Sequence, residues 1–165
     1  MSKNKAIVMC FGRGGHQEQA RRLLARLKEE PEFAQLSIIT CSDGPKPKSV
    51  LSDEHYSIGE TRDKHSLFKS VANIFPHIFL TLQFIFNVSS RNRVKTFIST
   101  GPGLSILPSL IFKVLGVKIV FIESWSKFNT KSLSGKCLYL FADEFIVQNR
   151  KLLLIYPNAK YGGRL

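Results

Sequence analysis

Residues 9–24 read MCFGRGGHQEQARRLL. An apolar run stops at Phe11, glycines occupy positions 12, 14 and 15, His16 follows, and a helical pattern begins. A glycine-rich turn between a strand and a helix gathers backbone N–H groups and the positive end of the helix dipole at one point, which suits an anionic ligand. Upstream, KAIVMCF (5–11) is a continuous apolar run of strand length. Downstream, HQEQARRLLARLKEE (16–30) sets Ala20, Leu23, Leu24 and Leu27 at helical spacing until Pro31 ends it. The unit is strand, turn, helix, the opening of a parallel α/β sheet.

The alternation continues along the chain. LSIITC (36–41) reads as a second strand, SDGPKPKSVLSD (42–53) as a loop and HYSI (55–58) as a short third strand. Residues 66–90 read as a strongly apolar helix. KTFIST (95–100), VKIVFIE (117–123) and EFIVQ (144–148) are strands, and AKYGG (159–163) is a last extended piece. Helices are expected in LSILPSLIFKVLG (104–116), within SLSGKCLYLFA (132–142) and in NRKLLLIYP (149–157). The prediction is a single domain with a Rossmann-like, doubly wound parallel sheet. In such sheets ligands bind beyond the carboxyl ends of the strands. Three junctions fall there: Gly12–His16, Thr100–Gly103 and Glu123–Ser126.

At 165 residues, with 44% hydrophobic and 22% charged residues, the chain can build one core and is not of disordered composition. Its net charge of +12 favours polyanions: nucleic acid, an anionic bilayer or phosphorylated substrates. Cys10, Cys41 and Cys137 match no metal-ligand spacing and read as small buried hydrophobes of a reducing compartment. No metal or cofactor is expected.

GRGGH is not a dinucleotide fingerprint, since Gln17 stands where its third glycine belongs, and no Lys-Ser/Thr pair makes it a P-loop. It lets the backbone approach a ligand, with Arg13 as a cation within the turn. His16 falls in the first turn of the helix, where the dipole disfavours imidazolium and leaves a neutral ring available as a base. A tight turn without chemistry is the plainer alternative. STGPG (99–103) is a second such junction, in which Thr100 and Ser105 could donate to phosphate oxygens. Glu123, at the end of an apolar strand, is poorly explained by packing. It reads as a base, an acceptor for substrate hydroxyls, or a partner for Lys127.

Residues 70–88, SVANIFPHIFLTLQFIFNV, form the most apolar stretch, flanked by Lys64 and Lys69 before it and Arg91, Arg93 and Lys95 after. A helix lying in a membrane interface fits it better than a span. Phe75, Phe79, Leu82 and Phe86 would enter the apolar layer, and Lys69, Arg91 and Arg93 would meet anionic headgroups. A buried core helix with a charged rim is the alternative.

Taken together, GRGGH, STGPG, the run IES…SLSGK…L…ADEFIVQ and the terminal YPNAKYGGRL resemble the PssD family of bacterial polysaccharide-synthesis proteins. That family is similar to the membrane-anchoring subunit of the eukaryotic split N-acetylglucosamine transferase and to the N-terminal half of MurG. The resemblance covers nearly the whole chain. It implies the acceptor-binding domain of a GT-B glycosyltransferase whose donor-binding half is a separate PssE-like chain, acting on a polyprenyl-diphosphate-linked acceptor at the cytoplasmic face of the inner membrane. It implies that Gly12, Gly14, Gly15 and His16 face the acceptor, with Thr100, Gly101, Pro102 and Gly103 as the second loop and Glu123 and Ser124 beside them. His16 or Glu123 would be the catalytic base. Arg13, inside the first loop, and Trp125-Ser126-Lys127, after Ser124, depart from the family pattern. The last residues, 161–165, are expected to give the partner a flexible handle. Two rival classes remain, a basic nucleic-acid-binding domain and a stand-alone nucleotide-dependent Rossmann enzyme; the aromatics gather in one apolar run instead of interleaving with basic residues, which disfavours the first.

Overall fold

A computed structural model describes residues 3–59 and 74–165. Within them, seven strands form one parallel sheet: β1 (Asn4–Cys10), β2 (Ser37–Ser42), β3 (Glu54–Ser57), β4 (Asn92–Ser99), β5 (Lys118–Ile122), β6 (Glu144–Val147) and β7 (Lys160–Tyr161). Their order is β3-β2-β1-β4-β5-β6-β7, parallel at every pairing. All seven expected strands are present within a residue or a few of their expected bounds. The helices are α1 (Gly15–Glu29), α2 (Ile74–Arg91), α3 (Ile106–Val114) and α4 (Leu133–Leu138), and 3₁₀ turns cover Gly103–Ser105 and Arg150–Leu154. The helix expected in 132–142 stops after six residues, and that expected in 149–157 is a 3₁₀ turn.

The central strands are apolar on both sides because helices cover both faces. Ala6, Val8, Cys10, Phe97, Ile119, Phe121, Phe145 and Val147 point into the larger core beneath α2, α3 and α4. Ile7, Met9, Phe11, Ile98 and Ile122 point into the other, where Ala20 and Leu24 of α1 close over them. The sheet is thus doubly wound, as expected. Cys10 and Cys41 are register neighbours on β1 and β2, buried and unbridged, while Cys137 is half-buried.

Chain direction reverses its progress across the sheet at β1. The chain leaves β1 toward β2 through α1, and it returns to the opposite side of β1 as β4. The crevice between β1 and β4 is therefore the topological switch point, the position where open α/β sheets hold their ligands.

Residues 66–73 of the expected apolar helix, with Lys64 and Lys69, lie outside the described residues. From Ile74 onward the helix forms. Pro76 sits in its first turn, where no backbone donor is lost. His77, Thr81, Phe84, Ile85 and Val88 face the core, and the His77 Nδ1 bonds the Ile58 carbonyl at 2.8 Å. Phe75, Phe79, Leu82 and Phe86 face outward, with Phe79 67% and Phe86 73% exposed. One face of the helix is core, and the other is an uncovered apolar stripe. Among the described residues, no helix is long and apolar enough to cross a membrane.

Candidate functional site

The β1–α1 and β4–α3 junctions meet at the switch point, and their glycines are what lets them meet. A Cβ on Gly12 would lie 3.1 Å from Pro102 Cβ, and one on Gly101 would lie 3.0 Å from His16 Cε1. Gly101 has φ of 100° and Gly14, which precedes α1, has φ of 71°, a region that side chains disfavour. No side chain caps α1, so the N–H groups of its first turn are left for another acceptor.

His16 is clamped into this contact from two sides. Its Nδ1 lies 2.5 Å from the Thr100 carbonyl, and the Thr100 hydroxyl donates to the His16 carbonyl at 3.0 Å. A carbonyl only accepts, so Nδ1 carries the proton and Nε2 keeps its lone pair. Burial holds the imidazole pKa below its usual value, against the opposing pull of the Thr100 carbonyl and the charges of Glu123 and Asp43. The ring is neutral at physiological pH, in the tautomer a general base needs. Thr100 itself is fully buried, and its hydroxyl is committed to the histidine instead of lying open to a phosphate. Ser105 is likewise engaged, bonding Ser99 and the Pro102 carbonyl.

The second loop is fixed from behind. Ser99 Oγ accepts from Gly101 N–H at 3.2 Å, and Ser134 Oγ donates to the Gly101 carbonyl at 2.5 Å. Pro102 is buried and Gly103 exposed at the rim.

Glu123 is 0% exposed, yet it makes no ion pair among the described residues. Its Oε1 accepts from Ser124 N–H at 2.9 Å. Its Oε2 accepts from Ser132 Oγ at 2.9 Å, from the Tyr156 hydroxyl at 3.0 Å and, at 3.4 Å, from Ser132 N–H. Gln148 Nε2 donates to its backbone carbonyl at 2.9 Å. Burial and the Glu123 charge push the Tyr156 hydroxyl pKa well up, so it stays a donor. Ser132 also caps α4 by accepting from Gly135 N–H. The carboxylate thus ties the end of β5 to the start of α4. A Cβ on Gly135 would fall 2.3 Å from Oε2, so the packing there admits only glycine.

Ser124 is nearly buried and bonds Ser126 Oγ at 2.9 Å. Trp125 reaches the first loop: its Nε1 stands 3.4 Å from where a Gly15 side chain would begin. Arg22 and Arg164 stack on its ring at 5.2 and 5.7 Å. The residues expected to be a free C-terminal handle are docked here. Leu165 packs into the core under α1, its N–H donates to Gln148 Oε1, and its carbonyl accepts from Arg22.

Arg13 leans the other way. Its guanidinium crosses Gly44 and meets Asp43, donating to the carbonyl at 3.3 Å with Nε 3.8 Å from Oδ1. It borders a cavity of about 240 Å³ that also touches Gln17, Ser42 and Lys46. Gly12, Arg13, Gly14, Gly15, His16, Thr100, Gly101, Pro102, Gly103, Glu123 and Ser124 are thus brought to one edge, though Thr100 and Glu123 face inward. Trp125 lies within the third expected junction without an assigned role, and Ser132, Ser134 and Tyr156 were not anticipated as parts of it. Among the described residues no cluster suited to a metal ion occurs.

The sheet order, the switch-point crevice and the two abutting glycine loops define a Rossmann-like, doubly wound domain with its candidate site at the switch point. The chain belongs to the family described as oligosaccharide biosynthesis protein Alg14 like, whose pattern matches residues 7–165. It is 34% identical over 194 residues to the UDP-N-acetylglucosamine transferase subunit ALG14 of Kluyveromyces lactis, covering 99% of this chain and 79% of that protein. It is 26% identical to the human subunit of the same name, with 97% and 82% covered. Among solved structures, MurG of Acinetobacter baumannii superposes with a TM-score of 0.60 at 13% identity, over 87% of this chain and 41% of that one. A UDP-N-acetylglucosamine 2-epimerase from Listeria monocytogenes, described as putative in its own name, gives 0.65 at 11%, over 95% and 42%. The chain spans about two fifths of these solved proteins, and at such identities the likeness is one of fold.

Proposed function

We propose that this chain is the acceptor-binding subunit of a two-chain glycosyltransferase, working with a donor-binding partner of the PssE type. The transferred sugar would come from a UDP-linked donor. It would pass to a polyprenyl-diphosphate-linked saccharide at the cytoplasmic face of the inner membrane, in exopolysaccharide or capsule synthesis. The observation that carries the reading is the His16 clamp: a neutral histidine with Nδ1 fixed on Thr100 and Nε2 left for chemistry, at the switch point of the sheet. The relatives support it, since the proteins named as subunits of a UDP-N-acetylglucosamine transferase align over 96–99% of this chain.

The residues divide the work. The uncapped start of α1, at Gly14 and Gly15, offers N–H groups and a positive dipole end to the acceptor diphosphate, and Arg13 adds a cation nearby. His16 Nε2 takes the proton of the acceptor hydroxyl as its oxygen attacks the anomeric carbon. The glycosidic carbon–oxygen bond to the nucleotide breaks, and its electron pair leaves with the diphosphate. Glu123 orients Ser124 and α4 around this centre, because both of its oxygens are already occupied. The outward stripe of α2, with Arg91 and Arg93 at its end, holds the chain on the bilayer from which the lipid-linked acceptor arrives.

The test is sugar transfer to a lipid-diphosphate acceptor with the donor subunit present. His16→Ala should lose at least about two orders of magnitude in kcat. Near wild-type turnover would remove His16 as the base, and robust transfer by this chain alone would end the two-subunit reading. Salt-sensitive binding of random oligonucleotides would instead favour the nucleic-acid class.

A further inference from the structure

At the opposite edge of the sheet, where strands begin, β1 and β4 run side by side with Asn4 beside Asn92 and Lys5 beside Arg93. Register neighbours on adjacent strands stand about 5 Å apart, and like charges so placed repel. Among the described residues, neither Lys5 nor Arg93 has an acidic partner. Lys3 joins them, its Nζ donating to the Ser89 carbonyl in the last turn of α2 at 2.7 Å. These three cations, with Ser89 and Asn92, line a cavity of about 430 Å³ that no carboxylate enters. Asn92 is 8% exposed, and its Nδ2 donor has no partner. The three cations are exposed to water, but an anion seated among them would be paired by them and would supply the acceptor that the buried Asn92 amide lacks.

We propose that this cavity is a phosphate site that receives the headgroup of an anionic membrane lipid. The anion would be held by Lys5 and Arg93, with Lys3 at the rim and Asn92 in the floor. The lipid is favoured over a soluble phosphate by position. The cavity abuts the last turn of α2, and Phe86, one turn before Ser89 on that helix, is 73% exposed. A headgroup phosphate in the cavity lets its acyl chains run beside the uncovered stripe of Phe79, Leu82 and Phe86. The site lies at the edge away from His16, so it would set how the chain sits on the bilayer without joining the transfer chemistry. It rests on the membrane-facing reading of α2 and not on the catalytic one.

The experiment uses the full chain and vesicles of phosphatidylcholine with and without phosphatidylglycerol. Each Lys or Arg held near an anionic surface contributes about 1 kcal/mol, so Lys5→Gln/Arg93→Gln should weaken binding to the anionic vesicles about 30-fold. The control pair Arg26→Gln/Lys28→Gln removes the same charge from exposed positions on α1, which packs on the face opposite α2, and should weaken it less than about threefold. Asn92→Asp, which turns the floor donor into a carboxylate, should weaken it as Lys5→Gln/Arg93→Gln does. Equal losses in the two double variants would overturn the site in favour of diffuse charge attraction. Loss of binding in Phe79→Ser/Phe86→Ser with none in Lys5→Gln/Arg93→Gln would overturn the site and leave the α2 reading standing. Inorganic phosphate should raise the melting temperature of the wild type and not of Lys5→Gln/Arg93→Gln; that result with unchanged vesicle binding would overturn the lipid and leave a soluble phosphate.

Discussion

Replacing Glu123 with Gln separates a carboxylate that shapes the site from one that performs the chemistry. The amide keeps an oxygen for Ser124 N–H but puts an NH2 where Oε2 accepts from Ser132 Oγ, Tyr156 and Ser132 N–H. The two hydroxyls must turn around to accept, and the Ser132 N–H is left facing a donor. Ser132 Oγ already accepts from Gly135 N–H, so its second lone pair must serve. Hydrogen bonds to a charged group contribute about 1.5–3 kcal/mol and neutral ones about 0.5–1.5. Exchanging three contacts of the first kind for two of the second costs roughly 3–6 kcal/mol. In a domain of this size each kcal/mol moves Tm by about 2–4 °C, so a fall of roughly 6–24 °C is expected. Crowding around Gly135 leaves little room for relaxation to soften it. Thermal or urea unfolding of the isolated chain reads the stability, and transfer with the donor subunit, below the melting point, reads the chemistry. The expected result is a destabilised protein that retains at least about a tenth of its turnover. A variant as stable as wild type, with transfer reduced by two orders of magnitude or more, would refute the reasoning and make Glu123 the base.

Two further outcomes follow from the same geometry. His16 and His55 both have pKa values lowered by burial. Below about pH 6.5 the unfolded chain therefore takes up protons that the folded chain refuses, and stability falls as the pH drops from neutral through the lowered pKa values. Denaturant unfolding from pH 8 to 5 should show this slope, reduced in His16→Gln and flattened further in His16→Gln/His55→Gln; an unchanged slope would mean that His16 charges freely in the folded state. Gly101→Ala puts a side chain at a φ of 100° and 3.0 Å from the His16 ring, so it should cost about 1–3 kcal/mol and at least tenfold in transfer. Gly103→Ala, with nothing within 4 Å, should stay near wild type in both, and equal effects at the two positions would disprove the contact as the cause.

The elements were legible because their signals are local. Apolar runs marked β1, β2, β4, β5 and β6, and the spacing of Ala20, Leu24 and Leu27 marked α1. The partners of Glu123 were not legible. Ser132, Gln148 and Tyr156 stand 9, 25 and 33 residues away, and no periodicity reports which distant hydroxyl will meet a buried carboxylate. Position gave half of that answer: a carboxylate ending a buried strand must find donors, but the sequence leaves open whether they belong to protein or substrate. The same gap explains Thr100, whose residue type fits a phosphate ligand equally well until its hydroxyl is seen on the His16 carbonyl. Read separately, GRGGH and STGPG are two turns. Their glycines answer to each other, Gly12 making room for Pro102 and Gly101 for His16, across a strand boundary separated by some 90 residues of chain. A side chain at either position would push the loops apart and release the imidazole from the Thr100 carbonyl that fixes its tautomer. The two glycine signals therefore describe one device, a hinge-free contact whose product is a single protonation state at Nε2.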